Sequence, residues 1–364
     1  MRVSATLSIY IGRQFLVGIA VVFALLVLLA YSFDLIELLR RASGRNDATF
    51  GIVIEMSLLK LPALALKLLP FSALFGAMLA LTRMTRNHEL VVARASGVSV
   101  WQFLMPGLVL AALIGALVIT VFEPVAAAMV SRYEMVEAKY LHGRTSLLAV
   151  SENGLWLREA DATGQSVVHA LRMSQKGTEL SDVIIFLYGG KDRFVGRVDA
   201  QTARLENGEW NLDQALLTGP DRPAQFFDRF RLKTSLTLDQ IQDSFASPES
   251  MSFWDLPRFI ETTENAGFSA HRHRLYFNQL LSLPLLLLAM VLIAATFSLR
   301  LTRRGGTGVL FACGGAAGFL LYFVSDIVFT LGTSGTIPVP MAAWIPAGVC
   351  TLLGLTTLMH LEDG

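Results

Sequence analysis

The feature that leaves this chain the fewest choices is an uncharged run near its start, residues 15–33. At about 1.5 Å of rise per helical residue, roughly 19 residues reach about 28 Å, close to the hydrocarbon thickness of a bilayer. In hydrocarbon every backbone N–H and C=O must be satisfied within the chain, so such a run spans as a helix. Five further apolar runs are long enough to span in the same way: 52–81, 100–122, 275–299, 309–331 and 339–359. The second carries Lys60, Pro62, Lys67 and Pro70, the third is closed by Glu123 and Pro124, the fourth contains Pro284 and the fifth Asp326. With 53% hydrophobic and 16% charged residues, the composition is that of a polytopic membrane protein. Arg2 and Arg13 precede the first run and no small-residue cleavage site follows, so this span reads as retained rather than as a signal peptide.

Between the third and fourth runs the character changes. Residues 125–270 are polar, with a helical lead-in at 129–140 followed by short alternating runs: LLAVS, GLWLRE, SVVHALR, DVIIFLYG, FVGRVDA, ARLENGEW, ALLTG and FRLKTSL. Turn signals at Asn153-Gly154, Gly189-Gly190, Asn207-Gly208 and Gly219-Pro220 separate them. This spacing predicts a β-sandwich, jelly roll or similar domain. Ser252 to Asp255 reads as a capping box opening an amphipathic helix that runs to Glu264. The chain thus divides into 1–124, 125–270 and 271–364.

Charge sets the orientation. With the N-terminus inside, the inner side holds Arg2, Arg13, Arg83, Arg86, Arg94, Arg300, Arg303 and Arg304, eight basic residues against Arg40, Arg41 and Arg45 in the short outer loops. Counting Lys60 and Lys67 outside narrows this to eight against five. Both termini are therefore expected inside and the strand-rich insert outside. The inner segment 86–98, between spans two and three, reads as a short polar helix. Thr85 or Asn87 can cap it, Glu89 sits where the helix dipole favours an acid, and Gly97 is a natural stop. Leu90, Ala93 and Gly97 share one side, while Glu89 and Arg94 are offered elsewhere. A helix of this kind suits a permease pressing on a separate motor subunit, or an amphipathic helix lying among headgroups.

The net charge of +1 comes without an isolated basic patch, so nothing points to nucleic acid. Cys313 and Cys350 lie in apolar runs and suggest packing residues rather than a disulfide. Gly190-Lys191 is followed by Asp192 and lacks the spaced upstream glycine of a phosphate loop. His271 and His273 are two apart and point in different directions, which suits interfacial residues better than metal ligands. No nucleophile motif surrounds the scattered serines and histidines, so the chain does not read as an enzyme. Lys60 and Lys67, seven apart, fall on nearly one face of a helix and must face protein, a watery cavity or the headgroups. With Arg40 and Arg41 they offer an amphiphile carrying anionic headgroups a positively charged rim beside aliphatic stretches; simple interfacial anchoring is the alternative. Asp326, a turn from Tyr322, reads as one half of a packing salt bridge or as a cavity residue, the former being favoured.

Taken together, these residues resemble the lipopolysaccharide-export permeases, the paired F and G subunits of an envelope exporter, over essentially the whole chain. The resemblance rests on YIGRQF entering the first span, PFSALFGAMLAL before the polar helix, NHELVVARASGVS within it and FWDLPRFI leading to the fourth span. NGLWLRE and the IPVP and WIPA stretches entering the sixth span are closer to the G member. The resemblance implies a polytopic α-helical membrane protein of six transmembrane helices with a periplasmic all-β jellyroll-like domain inserted between helices 3 and 4. It implies the bacterial inner membrane with both termini cytoplasmic, and as partners a paired F-type permease, a homodimeric cytoplasmic ATPase, a bitopic periplasmic jellyroll protein and lipopolysaccharide. ATP and Mg would be bound by the ATPase, leaving no cofactor in this chain. By the same resemblance Glu89 docks the coupling helix on the ATPase, with Arg94, Leu90 and Gly97 beside it, and Arg40, Arg41, Lys60, Lys67 and Phe33 face the lipid. Asp34 stands where the family pattern has a further basic residue. Two other readings remain open from the residues alone, a permease of another ABC exporter family and a non-transporting scaffold that displays a β-domain.

Overall fold

The computed structural model describes residues 5–43, 49–140, 155–160, 164–173, 179–189, 193–206, 208–220, 222–234, 247–265, 270–299 and 307–363. Six helices among them are long and apolar enough to cross a membrane. The first two are α1 (Ala5–Ala42) and α2 (Phe50–Arg86), followed by the short α3 (Glu89–Ala95). The third span is composite: α4 (Val100–Leu117), a π-helical turn (Val118–Phe122) and α5 (Glu123–Tyr140). After the strands come a 3₁₀ turn (Pro248–Ser250), α6 (Leu256–Asn265), and the spans α7 (His271–Ser298), α8 (Thr307–Thr333) and α9 (Val339–Asp363).

Close backbone approach builds the helical core. A Cβ on Gly76 of α2 would lie 2.4 Å from Ile19 Cα of α1, so side chains are excluded there and the two backbones touch. A Cβ on Gly115 of α4 would likewise meet Pro284 Cα of α7 at 2.6 Å, and that kinking proline is absorbed by a partner with no side chain. Around these contacts Phe15, Leu74, Met78, Leu104, Leu287 and Val291 form one buried cluster. By contrast α8 buries little of itself, and Phe319, Leu320 and Phe323 stand out from it.

The helix of the third span does not stop at Glu123 and Pro124, where the sequence reading closes that span. Proline in a helix strands the carbonyl four residues earlier and its ring crowds that carbonyl. Here the helix widens into the π-helical turn just before Glu123, and the freed carbonyl, that of Thr120, accepts the indole N–H of Trp254 at 3.2 Å. With both problems answered, the helix runs on to Tyr140.

The insert is a six-stranded antiparallel sheet in sequence order: β1 (Leu155–Ala160), β2 (Gly164–Met173), β3 (Glu179–Gly189), β4 (Arg193–Glu206), β5 (Glu209–Gly219) and β6 (Arg222–Lys233). Register pairs Val168 with Ile185, Ile185 with Val198 and Val198 with Leu217, which lines one apolar face across four strands around the buried Trp210. FVGRVDA and ARLE are one strand, not two, and GEW begins the next, because the turn lies at Gly208, whose φ is +76°. Among the described residues the strands make this single meander; the expected LLAVS strand and the Asn153-Gly154 turn lie outside them.

The capping box expected at Ser252 is replaced by a turn, in which Ser252 O accepts from the amides of Asp255 and Leu256 and its hydroxyl from that of Trp254. A reciprocal capping box is found at Ser99 and Gln102, where it starts α4 directly after α3.

Candidate functional site

The predicted residues fall at the two ends of α1. At the N-terminal end of α1, α2 stops at Arg86 and the chain reverses through His88, held at φ +60°. His88, rather than Thr85 or Asn87, precedes the helix, and it makes no side-chain cap; the Thr85 hydroxyl is turned back to Leu81 O. Asn87 instead donates its amide to Glu89 Oε1 at 3.1 Å, and the Tyr10 hydroxyl of α1 reaches both Glu89 oxygens at 3.1 and 3.2 Å. α3 ends as expected at Gly97 (φ +85°): Gly97 N–H bonds to Arg94 O and Val98 N–H to Ala93 O, the paired bonds of a Schellman stop. Leu90 and Ala93 are buried in the main cluster, so Leu90 anchors the helix and is not offered to a partner. Val91, Val92 and Arg94 form the exposed surface.

At the C-terminal end of α1, the predicted cations are already engaged by acids. Arg40 and Arg41 both pair with Glu37, at 2.7 and 2.9 Å, and remain more than half exposed. Lys60 pairs with Asp34 at 2.6 Å, and Ser57 donates to the other Asp34 oxygen at 3.2 Å. Its ammonium also lies 5.8 Å from the centre of the Tyr133 ring, so Lys60 ties α2 to α1 and α5. Lys67, despite sharing a helix face with Lys60, reaches elsewhere, to Glu249 at 3.2 Å. Phe33 is 73% exposed on α1.

A cavity of about 270 Å³ opens between α2, α7, α8 and α9. Its walls are mainly aliphatic, with Lys67, Glu249, Tyr276, Gln279, Tyr322 and Asp326 supplying the polar groups. Asp326 is thus a cavity residue; among the described residues it has no ion-pair partner, against the favoured expectation of a packing salt bridge.

Sequence reasoning missed the contacts made by the segment 247–254, whose Glu249 lines this cavity. Besides Glu249 on Lys67, the Ser247 hydroxyl donates to Glu134 and the Phe253 amide to Glu123 Oε2 at 2.8 Å. Glu123 is fully buried, and its other oxygen accepts from the Tyr276 hydroxyl at 3.4 Å. Phe253 stacks on Phe277, ring centres 5.2 Å apart. The hydrogen-bonded partners here lie more than a hundred residues apart, and the one local signal was Glu123 itself, an acid beside a proline at the end of an apolar run.

His271 and His273 do diverge, the first to Gly332 O and the second against the Phe259 ring, and among the described residues no cluster of histidine, cysteine and acids could hold a metal. Cys313 is exposed and Cys350 buried, both as free thiols.

Residues 9–360 match the family described as the lipopolysaccharide export system permease LptF/LptG. The chain belongs to the LptF/LptG family. It is 26% identical to the lipopolysaccharide export system permease protein LptG of Escherichia coli K12, over 99% of both chains. It is 25% identical to the LptG of Haemophilus influenzae, over 94% of this chain and 95% of the relative. As an LptF/LptG permease with six spanning helices, it is a multi-pass membrane protein.

Proposed function

We propose that this LptF/LptG-family chain is the G-type permease of an ATP-driven exporter that lifts lipopolysaccharide from the outer leaflet of the inner membrane toward a periplasmic bridge. An F-type permease, a homodimeric cytoplasmic ATPase and a bitopic jellyroll partner complete the assembly. ATP and Mg belong to the ATPase. The relatives named LptG support the subtype. The observation that carries the reading is α3, a seven-residue inner helix anchored by Leu90 and Ala93 that exposes Val91, Val92 and Arg94 beside a positioned Glu89. Such a helix fits a groove on a motor protein and has too little apolar surface to hold a membrane by itself.

In this reading the lipid enters a chamber between the F and G halves. Arg40 and Arg41 meet its phosphates, while Lys60 and Lys67 reach it only by exchanging their carboxylate partners. Closure of the ATPase dimer moves α3 through Glu89 and collapses the chamber toward the β-domain. The test is Glu89→Ala in the reconstituted complex, which should abolish lipid movement coupled to ATP; normal export would remove this role. Mass spectrometry of lipid retained by the purified complex should find lipopolysaccharide, and any other bound lipid would overturn the substrate.

A further inference from the structure

The Glu89 side chain is at the first position of a seven-residue helix, half-exposed, with free rotation in the absence of neighbours. Two donors from two other elements remove that freedom: Asn87 from the turn after α2, and Tyr10 from α1, 79 residues away in sequence. An ionised carboxylate has about four acceptor positions, so these bonds leave capacity for a cation from a partner while fixing where it must approach. We infer that Tyr10 is the positioning residue for Glu89 and the strut by which movement of α3 is delivered to α1. This inference rests on the reading of Glu89 as the coupling acid.

Three features of α1 support the delivery. The helix is continuous from Ala5 to Ala42, so Tyr10 and Arg40 stand about 45 Å apart on one rod. Two turns beyond Tyr10 the rod is locked backbone to backbone against α2 at Gly18 and Gly76, so a pull on Tyr10 cannot dissipate by side-chain repacking there. At its far end the same rod carries Glu37 with Arg40 and Arg41. Glu89 therefore bonds α1, on which the outer rim sits, as well as the turn that ends its own span.

The experiment uses the exporter assembled from both permeases and its ATPase in lipopolysaccharide-containing liposomes, reading lipid extracted per ATP hydrolysed. Tyr10→Phe removes one hydroxyl and is expected to lower that ratio on the order of threefold to tenfold, the effect of losing one exposed hydrogen bond to a charged group. In a Glu89→Ala background, which leaves no acceptor for the hydroxyl, the same substitution should add nothing, since Tyr10 acts through that carboxylate. Tyr10→His, which keeps a donor, should recover most of the ratio. An unchanged ratio in Tyr10→Phe with a lowered one in Glu89→Ala would overturn the strut and leave the coupling reading standing. An equal loss in both backgrounds would assign Tyr10 to packing alone and also overturn the inference. A normal ratio in Glu89→Ala would remove the coupling reading, and the strut with it. Should Tyr10→Phe fail to assemble, Tyr10→His carries the decision: a ratio near that of the unaltered chain supports the strut, and one as low as in Glu89→Ala overturns it.

Discussion

Asp34 and Lys60 show how one substitution of residue type redirects a site. In sequence they are an acid where a base is expected and a lysine at membrane depth; in space they are one pair at 2.6 Å, with Asp34 only 8% exposed. Removing the lysine leaves that carboxylate without its cation, whereas removing both charges leaves a neutral contact. Lys60→Met is expected to destabilise the detergent-solubilised protein by about 1 to 2 kcal/mol, a partly exposed lysine making less than a fully buried pair. Asp34→Asn with Lys60→Met should recover most of the loss, and thermal unfolding followed by tryptophan fluorescence distinguishes the two. Glu37 acts on the rim in the same sense. Glu37→Gln takes from Arg40 and Arg41 the acid they share, so photo-crosslinking to lipopolysaccharide at this rim should increase, whereas Arg40→Ala with Arg41→Ala should reduce it.

Among the elements, the third span carries the lesson. A proline beside an acid at the end of an apolar run ordinarily marks a helix end, and propensity alone favours that reading. The helix continues because an indole from a segment 134 residues away takes up the stranded Thr120 carbonyl. Trp254→Phe keeps the ring and deletes the donor, so it should cost about 1 kcal/mol and raise amide exchange in the turn Val118–Phe122 and the first turn of α5. The pairing of α1 with α2 is less forgiving. A methyl on Gly76 would meet Ile19 Cα at 2.4 Å, which only movement of a whole helix can relieve, so Gly76→Ala should destabilise by roughly 2 kcal/mol or more. A lowered melting temperature without loss of helical circular dichroism would be the mark of that separation.

For the molecule as a whole, the segment 247–254 ties the cavity wall to two spans at once, to α2 through Glu249 on Lys67 and to the third span through Ser247 on Glu134 and Phe253 on Glu123. Orientation is tested at this scale too. With Cys313 and Cys350 replaced by serine, Val92→Cys on α3 should react with a membrane-impermeant maleimide only after the inner face is opened, and Gln225→Cys on β6 should react from the outer face. Labelling of both from one side would overturn the topology and the proposed transport direction together.

The sequence by itself determined the six spans, the place of the short helix after the second span with its Gly97 stop, and the strand-rich insert. These follow from local rules: hydrocarbon thickness, the helix dipole, left-handed glycine and the two-residue period of a strand. Only the tertiary structure decided which charges face each other, that Leu90 points inward, that Asp326 lines a cavity and that Pro124 does not end its helix. Each of those depends on a partner brought in from a distant part of the chain. A side chain's type declares what it can bond, but its contacts wait on which backbones can approach, and here that is set by glycines such as Gly76 and Gly115 that let one helix lie against another.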